Sequence, residues 1–247
     1  MVKAIITAAG LGTRMGVMSD VPKCALRVDD ITIIERAVLL LLSLGIEVAV
    51  VTGYKSEIIE EILSKYPVKI YFNPFYREHG SILSLWSALS FIEDEEDLLV
   101  LNADLFWDMS LIEKILLDQR DIVVLADRSK VEHGVGDFFL KVDSEGCVIK
   151  YGKSLKKEDR CMESFGISKI SKKTIPFFKK EVLKKMKDHE LDTWWAIVLY
   201  DSNLPVHTLD VSDLFWLEVD YSKDYENLLE YLKNGDFGLK YDMKMDL

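Results

Sequence analysis

Short β-branched runs alternate with helix-length amphipathic segments along the first half of this 247-residue chain. This order is typical of parallel strands joined by crossover helices, because such a crossover needs about a dozen residues or more. The predicted strands are Lys3–Ala8, Val48–Thr52, Val68–Phe72, Leu98–Leu101 and Ile122–Leu125. The predicted helices are Ile33–Leu44, preceded by a capping box at Thr32 and Glu35, then Ser56–Tyr66, Ser81–Phe91 and Leu111–Leu117. The alternation predicts an α/β fold with an open, mostly parallel sheet and helices on both faces.

The second half of the chain does not continue the alternation of strands and helices. Phe138–Tyr151 contains two strand-like runs around Asp143-Ser144-Glu145-Gly146, a turn typical of hairpins, so the sheet should be mixed. Thr174–Lys187 and Ser222–Lys233 are predicted helices, with a strand at Phe215–Val219 between them. No repeat, low-complexity tract or linker interrupts the sequence. We therefore predict a single domain over residues 1–247.

The composition excludes several classes of protein. A formal net charge of −11 opposes the attraction to phosphate backbones on which nucleic-acid binding depends. No stretch approaches the roughly 20 apolar residues of a membrane span, and Met1–Ile6 lacks the features of a signal peptide, so we expect a cytoplasmic protein. Cys24, Cys147 and Cys161 are odd in number and far apart, which favours free thiols over disulfides or zinc. The chain contains a single glutamine, and 30% of its residues are charged. This composition is biased in the direction of thermophile proteins.

The most informative segment follows the first predicted strand directly, at Ala8-Ala9-Gly10-Leu11-Gly12-Thr13-Arg14-Met15. Ligands of open α/β sheets bind at the carboxyl ends of strands, where glycines let backbone N–H groups approach a phosphate. An ordinary strand-to-helix turn and a dinucleotide-binding fingerprint are the alternatives, but the fingerprint needs a third glycine where Met15 stands. Arg14 and Lys23 supply positive charge beside the glycines. The segment therefore predicts a triphosphate site that includes Ala8, Gly10, Gly12 and Thr13.

The Gly-x-Gly-Thr-Arg-Met loop followed by Pro22-Lys23 resembles the signature of the sugar-nucleotide and MobA-like nucleotidyltransferases. The resemblance implies a Rossmann-like fold of the nucleotide-diphospho-sugar transferase type, in which Arg14 and Lys23 hold the triphosphate and stabilise the transition state. It also implies that two aspartates bind magnesium, and their positions are matched by Asp104 and Asp220. Magnesium prefers hard oxygen ligands, which agrees with this choice. Taken alone, each aspartate could equally be a solvated loop or helix-capping residue.

Two later regions resemble cytidylyltransferases. Glu78–Leu85 is similar to the Asn-x-x-Ser-Leu region of the enzymes for phosphocholine and inositol 1-phosphate, so Gly80 and Ser81 could contact the pyrimidine through small side chains and free N–H groups. Residues 149–155 and 161–164 resemble the archaeal inositol-1-phosphate cytidylyltransferases. This resemblance implies that Lys153 contacts the acceptor phosphate and Glu163 the acceptor hydroxyls. A helix cap at Ser81 and surface charges at the other two positions are the alternatives.

The resemblance therefore implies a magnesium-dependent cytidylyltransferase that couples CTP to inositol 1-phosphate and releases pyrophosphate. Phosphocholine and sugar 1-phosphates are the alternative acceptors, since Trp194, Trp195 and Trp216 could supply an aromatic cage for a quaternary ammonium. A nicotinamide-dependent oxidoreductase and a nucleotide-binding sensor without catalysis are the rival functions. The expected partners are CTP and a small phosphorylated acceptor, and a homodimer stays an open alternative.

Overall fold

The structure is a computed structural model that describes residues 1–18, 20–131 and 138–234. The strands of these residues are β1 Val2–Ala8, β2 Arg27–Val28, β3 Ile31–Thr32, β4 Glu47–Thr52, β5 Lys69–Phe72, β6 Asp97–Asn102, β7 Leu105–Trp107, β8 Ile122–Asp127, β9 Phe138–Val142, β10 Val148–Gly152, β11 Met162–Ile170, β12 His207–Asp210 and β13 Trp216–Glu218. The α-helices are α1 Ile33–Ser43, α2 Ser56–Leu63, α3 Ile82–Ser87, α4 Met109–Leu117, α5 Ile175–Lys187, α6 Ile197–Tyr200 and α7 Ser222–Asn234. Within this described part, none of the helices combines the length and the apolar character needed to cross a membrane.

One mixed sheet of nine strands organises the chain. Strands β6, β1, β4 and β5 lie side by side and run parallel, as the alternating sequence pattern predicts. Strand β11 runs antiparallel to β8 on one side, and on the other side it pairs first with β9 and then with β6. The predicted α/β class is thereby confirmed. The assignment of residues 1–247 to a single domain stays a prediction, because residues 235–247 lie outside the described part.

Side-chain alternation along the parallel strands divides the core between the two faces of the sheet. In β1, Ala4 and Ile6 pack with the apolar sides of α1, α2 and α4, whereas Ile5 packs with those of α3, α5 and α6. All three side chains are fully buried. Because successive residues of a strand point to opposite faces, a strand with helices on both faces has to be apolar throughout. The predicted placement of helices on both faces is confirmed.

The local signals at the first helix are also confirmed. The backbone N–H of Glu35 donates to the Thr32 hydroxyl at 3.2 Å, and the Thr32 N–H donates to the Glu35 carboxylate at 3.3 Å. These bonds satisfy donors that the first turn of a helix leaves unpaired. The predicted helix Ser81–Phe91 is wrong in extent, since α3 ends at Ser87 and a separate 3₁₀ turn covers Leu89–Phe91.

Strand β11 is the longest of the elements that the sequence pattern did not predict. All nine of its residues are buried, including Glu163, Ser164, Ser168 and Lys169. Its polar residues are typical of an exposed segment. In the structure, however, strands pair with it on both sides and form hydrogen bonds with its backbone. Lys169 tolerates burial because its ammonium donates to the Asp118 carbonyl. Such pairing joins distant parts of the chain, so a local pattern does not reveal it.

Candidate active site

A cleft of about 390 Å³ opens at the carboxyl ends of β1 and β6. Asn102 at the end of β6, Phe138 at the start of β9 and Phe165 on β11 all line it. At this point the strand paired with β11 changes from β9 to β6: Ser164 pairs with Phe138 of β9, and Ile167 pairs with Leu101 of β6. The cleft brings together most of the residues proposed from the sequence, namely Ala8, Gly10, Arg14, Lys23, Ser81, Asp104, Lys153, Glu163 and Asp220.

Three carboxylates form a cluster at one end of the cleft. Oxygens of Asp104, Glu218 and Asp220 all lie within 4.8 Å of one another. Pairing of β7 with β13 places Glu218 opposite Leu105, and the Val219 N–H donates to the Asp104 carbonyl at 2.9 Å. Asp104 and Asp220, far apart in the sequence, are thus held together by backbone pairing. The sequence analysis missed Glu218, which the strand alternation in Glu218-Val219-Asp220 could have indicated, because residues two apart share a face.

Lys23 lies between the two aspartates of this cluster. Its Nζ is 2.5 Å from Asp104 Oδ2 and 2.7 Å from Asp220 Oδ1, and Arg14 forms a further ion pair with Asp220. Gly12 supports this arrangement without lining the cleft, because a Cβ at its position would lie 3.0 Å from Lys23 Cγ. Its φ of 63° is also in the region that favours glycine. Thr13 lies outside the cleft lining as well.

The charges of the cluster shift two pKa values in the same direction. Burial by itself lowers the pKa of Lys23, but the nearby Asp104 and Asp220 carboxylates outweigh it and the net pKa is raised. Burial raises the pKa of Glu218 well above its ordinary value, and the negative charges of Asp104 and Asp220 raise it further. Lys23 is therefore held as a cation. The Glu218 carboxyl, in contrast, resists ionisation as long as no further cation is bound beside it.

The donor set of this cluster fits a divalent cation. Asp104, Glu218 and Asp220 offer hard oxygen atoms, which Mg²⁺ and similar ions prefer. Two of the three already surround a positive charge, the Lys23 ammonium, which shows that this position stabilises a cation. These three residues would hold the ion.

The segment around Gly80 differs from what the sequence predicts. Ser81 lines the cleft, but Gly80 does not. The N–H groups of Gly80 and Ile82 donate to the carbonyls of Leu191 and Thr193, at 2.9 and 3.0 Å, so they are not free to bind a base. A Cβ at Gly80 would lie 2.4 Å from the Thr193 carbonyl oxygen. Glycine is needed here for close backbone packing. Ser81 occupies the N-cap position of α3, but its side chain forms no capping hydrogen bond there.

The lining of the cleft also includes polar and aromatic side chains. Lys153 is exposed after β10, whereas Glu163 is only 8% exposed. Ser164 exchanges a 2.9 Å hydrogen bond with the buried Tyr200 hydroxyl. The rings of Phe138 and Trp194 meet at an angle of 60° with centroids 4.7 Å apart, and both line the cleft.

The three tryptophans considered as a cage are separated by the fold. Trp195 is completely buried, and Trp216 stacks on Phe165 while its Nε1–H donates to Asp127 Oδ2 at 2.8 Å. Neither lines the cleft, so Trp194 alone among the three faces a ligand.

Known proteins similar to this chain share one type of domain. The sequence profile of the MobA-like NTP transferase domain matches residues 4–172. A CTP:phosphoglutamine cytidylyltransferase of Campylobacter jejuni is 26% identical over 253 residues, which cover 92% of this chain and 99% of the relative. A choline-phosphate cytidylyltransferase of Streptococcus pneumoniae is 26% identical, with 94% and 99% covered. The solved inositol-1-phosphate CTP transferase from T. maritima superposes with a TM-score of 0.73 at 22% identity, over 94% of this chain and 96% of that one.

Proposed function

The chain belongs to the family of MobA-like NTP transferase domains and is a nucleotidyltransferase, and we propose that it transfers the cytidylyl group of CTP to a small phosphomonoester in the presence of magnesium. One observation carries the proposal. Arg14, Lys23 and the carboxylates of Asp104, Glu218 and Asp220 meet in a single cleft beside the glycine loop. Cationic side chains and hard oxygen ligands in one cleft are the combination that suits a metal-bound triphosphate. The names of the two cytidylyltransferase relatives support CTP as the nucleotide.

The proposed reaction is an in-line displacement without a covalent enzyme intermediate. An oxygen of the acceptor's phosphate forms a bond to the α-phosphorus of CTP, and the bond from that phosphorus to pyrophosphate breaks. No general base is needed, because a phosphomonoester with a second pKa of about 6 is mostly ionised at neutral pH. Arg14 and Lys23 bind the triphosphate and neutralise the charge that develops on the departing pyrophosphate. The magnesium ion, when bound, supplies Lewis-acid stabilisation of the phosphoryl oxygens.

Inositol 1-phosphate is the acceptor that the sequence favours. Lys153 at the rim offers a charge for its phosphate, and Glu163 and Ser164 offer oxygens to its hydroxyls. A polyol site needs several such donors and acceptors. The T. maritima structure named for inositol 1-phosphate has the same fold, which is compatible with this choice of acceptor.

Phosphocholine is the second candidate, and a specific observation favours it. Phe138 and Trp194 are in ring contact and both line the cleft, and Glu163 adds a carboxylate to the same lining. Aromatic faces and negative charge are the usual means of binding a quaternary ammonium. The relatives named for phosphocholine and phosphoglutamine support a nitrogen-containing acceptor.

The proposal is tested by measuring pyrophosphate release with four nucleoside triphosphates against inositol 1-phosphate, phosphocholine and glucose 1-phosphate. We expect turnover only with CTP and magnesium, and chelation of the metal should abolish it. Binding of CTP without pyrophosphate release in any combination would favour a nucleotide sensor instead.

Two variants then separate the acceptors. With inositol 1-phosphate, Glu163→Ala should reduce kcat/KM more than Trp194→Leu, because hydroxyls lose their acceptor. With phosphocholine, Trp194→Leu should be the more damaging change, because one wall of the ammonium site is lost. A higher kcat/KM for phosphocholine than for inositol 1-phosphate in the wild-type enzyme would overturn the first acceptor and leave the cytidylyltransferase proposal standing.

A further inference from the structure

Asn102, two residues before Asp104, lines the cleft. Its Oδ1 accepts a hydrogen bond from the Trp195 Nε1–H at 2.8 Å. The indole nitrogen of tryptophan can only donate, so the oxygen of the amide has to face it and the orientation of the amide is determined. The Nδ2 group consequently points away from Trp195.

Trp195 is a fixed partner for this amide. Its side chain is completely buried, and its backbone N–H donates to the Ser81 hydroxyl at 3.0 Å. Trp195 therefore connects the end of β6, through its indole, with the loop before α3, through its backbone. A buried donor held by the surrounding packing restricts the amide more strongly than a mobile surface partner does, because little side-chain freedom remains to be lost.

Strand β11 leaves room for the amide at Gly166. A Cβ at this position would lie 2.3 Å from Asn102 Nδ2 and 2.5 Å from its Cγ, closer than non-bonded atoms approach. The φ of 91° at Gly166 is also unfavourable for other residues. Any side chain at position 166 would therefore push the carboxamide away from its place.

The Nδ2 group has donor capacity to spare. Within the described residues, Asn102 forms its side-chain hydrogen bond through Oδ1, and Nδ2 is not among the buried atoms that lack a partner. The amide nitrogen, which lies next to Gly166, therefore keeps some exposure, and Asn102 is one of the residues that line the cleft. An amide with its oxygen satisfied and its NH₂ directed into a ligand site is a neutral hydrogen-bond donor that adds no charge to the neighbouring carboxylates.

We propose that Asn102 contacts the acceptor through Nδ2, which donates to a non-attacking oxygen of the acceptor's phosphate, and that Trp195 and Gly166 are positioning residues for it. This inference rests on the proposed function. We assign the amide to the acceptor side because Nδ2 lies against Gly166 of β11, two residues after Ser164, which lines the cleft together with Glu163. Inositol 1-phosphate and phosphocholine share the phosphate, so the contact does not depend on which of them is the substrate.

The test uses Asn102→Asp, Asn102→Ala, Trp195→Phe and the double variant Asn102→Ala with Trp195→Phe. Asn102→Asp keeps the shape and the bond from Trp195 but replaces the donor by a negative charge, whereas Asn102→Ala removes the donor and adds no charge. We expect Asn102→Ala to raise the KM for the acceptor about tenfold or more, the scale of one hydrogen bond to a charged group, with the KM for CTP changed less than threefold. Asn102→Asp should raise the acceptor KM further, because its carboxylate repels the phosphate. Trp195→Phe should give a smaller rise, and the double variant should be no worse than Asn102→Ala within twofold. Trp86→Phe, a matched exchange on the exposed side of α3, serves as the control.

Calorimetric titration of wild type and Asn102→Ala with inositol 1-phosphate and with phosphocholine gives a second readout that needs no turnover. Weaker acceptor binding by Asn102→Ala supports the inference even if no pyrophosphate release is found, in which case the proposed function fails on its own. Unchanged acceptor KM and affinity in both Asn102 variants, additive effects in the double variant, or no binding of either compound to the wild type would overturn the inference.

Discussion

Replacing Lys23 by methionine should destabilise the metal-free protein, and magnesium should restore much of the loss. The Lys23 ammonium lies 2.5 Å from Asp104 and 2.7 Å from Asp220, and the three side chains are 13%, 19% and 18% exposed. Two unit charges about 4 Å apart interact by about 4 kcal/mol at an effective dielectric constant of 20. Removing one partner of a fully buried pair costs about 3 to 5 kcal/mol, because the other charge is left without compensation.

Partial exposure reduces this cost. Since water screens the two aspartates and Arg14 still neutralises part of Asp220, we expect Lys23→Met to lower the free energy of unfolding by about 2 to 3 kcal/mol. For a chain of this size the melting temperature should fall by about 5 to 10 °C. A divalent ion held by the same carboxylates replaces the lost positive charge, so added magnesium should narrow the gap between variant and wild type.

The assay is thermal unfolding of both proteins in EDTA and in millimolar magnesium. Lys153→Met provides the matched control, because it removes an exposed lysine at the rim of the same cleft. In the proposed reaction Lys23→Met should also reduce kcat about 10²- to 10³-fold, the effect of losing one preorganised group that stabilises developing negative charge. An unchanged melting temperature in EDTA, or a gap that magnesium leaves as it was, would refute the electrostatic reasoning.

Three further outcomes are expected. Asp104→Asn should abolish pyrophosphate release from CTP while the circular dichroism spectrum stays that of the wild type, and more than a tenth of the normal rate would contradict a role in metal binding. Burial and the charges of Asp104 and Asp220 raise the pKa of Glu218, so the folded protein binds this proton more tightly than the unfolded chain. Stability should therefore fall as the pH rises above the ordinary glutamate value, and Glu218→Gln should flatten this dependence in denaturant titrations without metal; an equally steep dependence in the variant would argue against it. Burial raises the pKa of Cys24 to about 12, so a thiol reagent at pH 8 should label the partly exposed Cys161 well before Cys24 in the native protein, and equal rates would show that Cys24 is accessible.

The sequence by itself determined the parallel part of the sheet and the ends of its strands. Runs such as Lys3–Ala8 and Leu98–Leu101 do not alternate between apolar and polar residues, so both faces of these strands are apolar. Helices therefore have to cover both faces of the sheet. Because the carboxyl ends of parallel strands meet at one edge of the sheet, Gly10 and Asp104 had to lie near each other once both strands were recognised. The capping box at Thr32 is equally local, since its residues are only three apart.

Only the tertiary structure decided how the site is completed. Glu218 joins Asp104 because β13 pairs with β7, and Asn102 is oriented because Trp195, which lies 93 residues further along the chain, donates to it. Gly80 looked like a ligand contact but packs against the backbone of Thr193. These contacts depend on which distant segments meet, and the composition of a short window carries little information about its long-range partners. Local periodicity therefore predicts where strands end, whereas long-range pairing decides which side chains meet there.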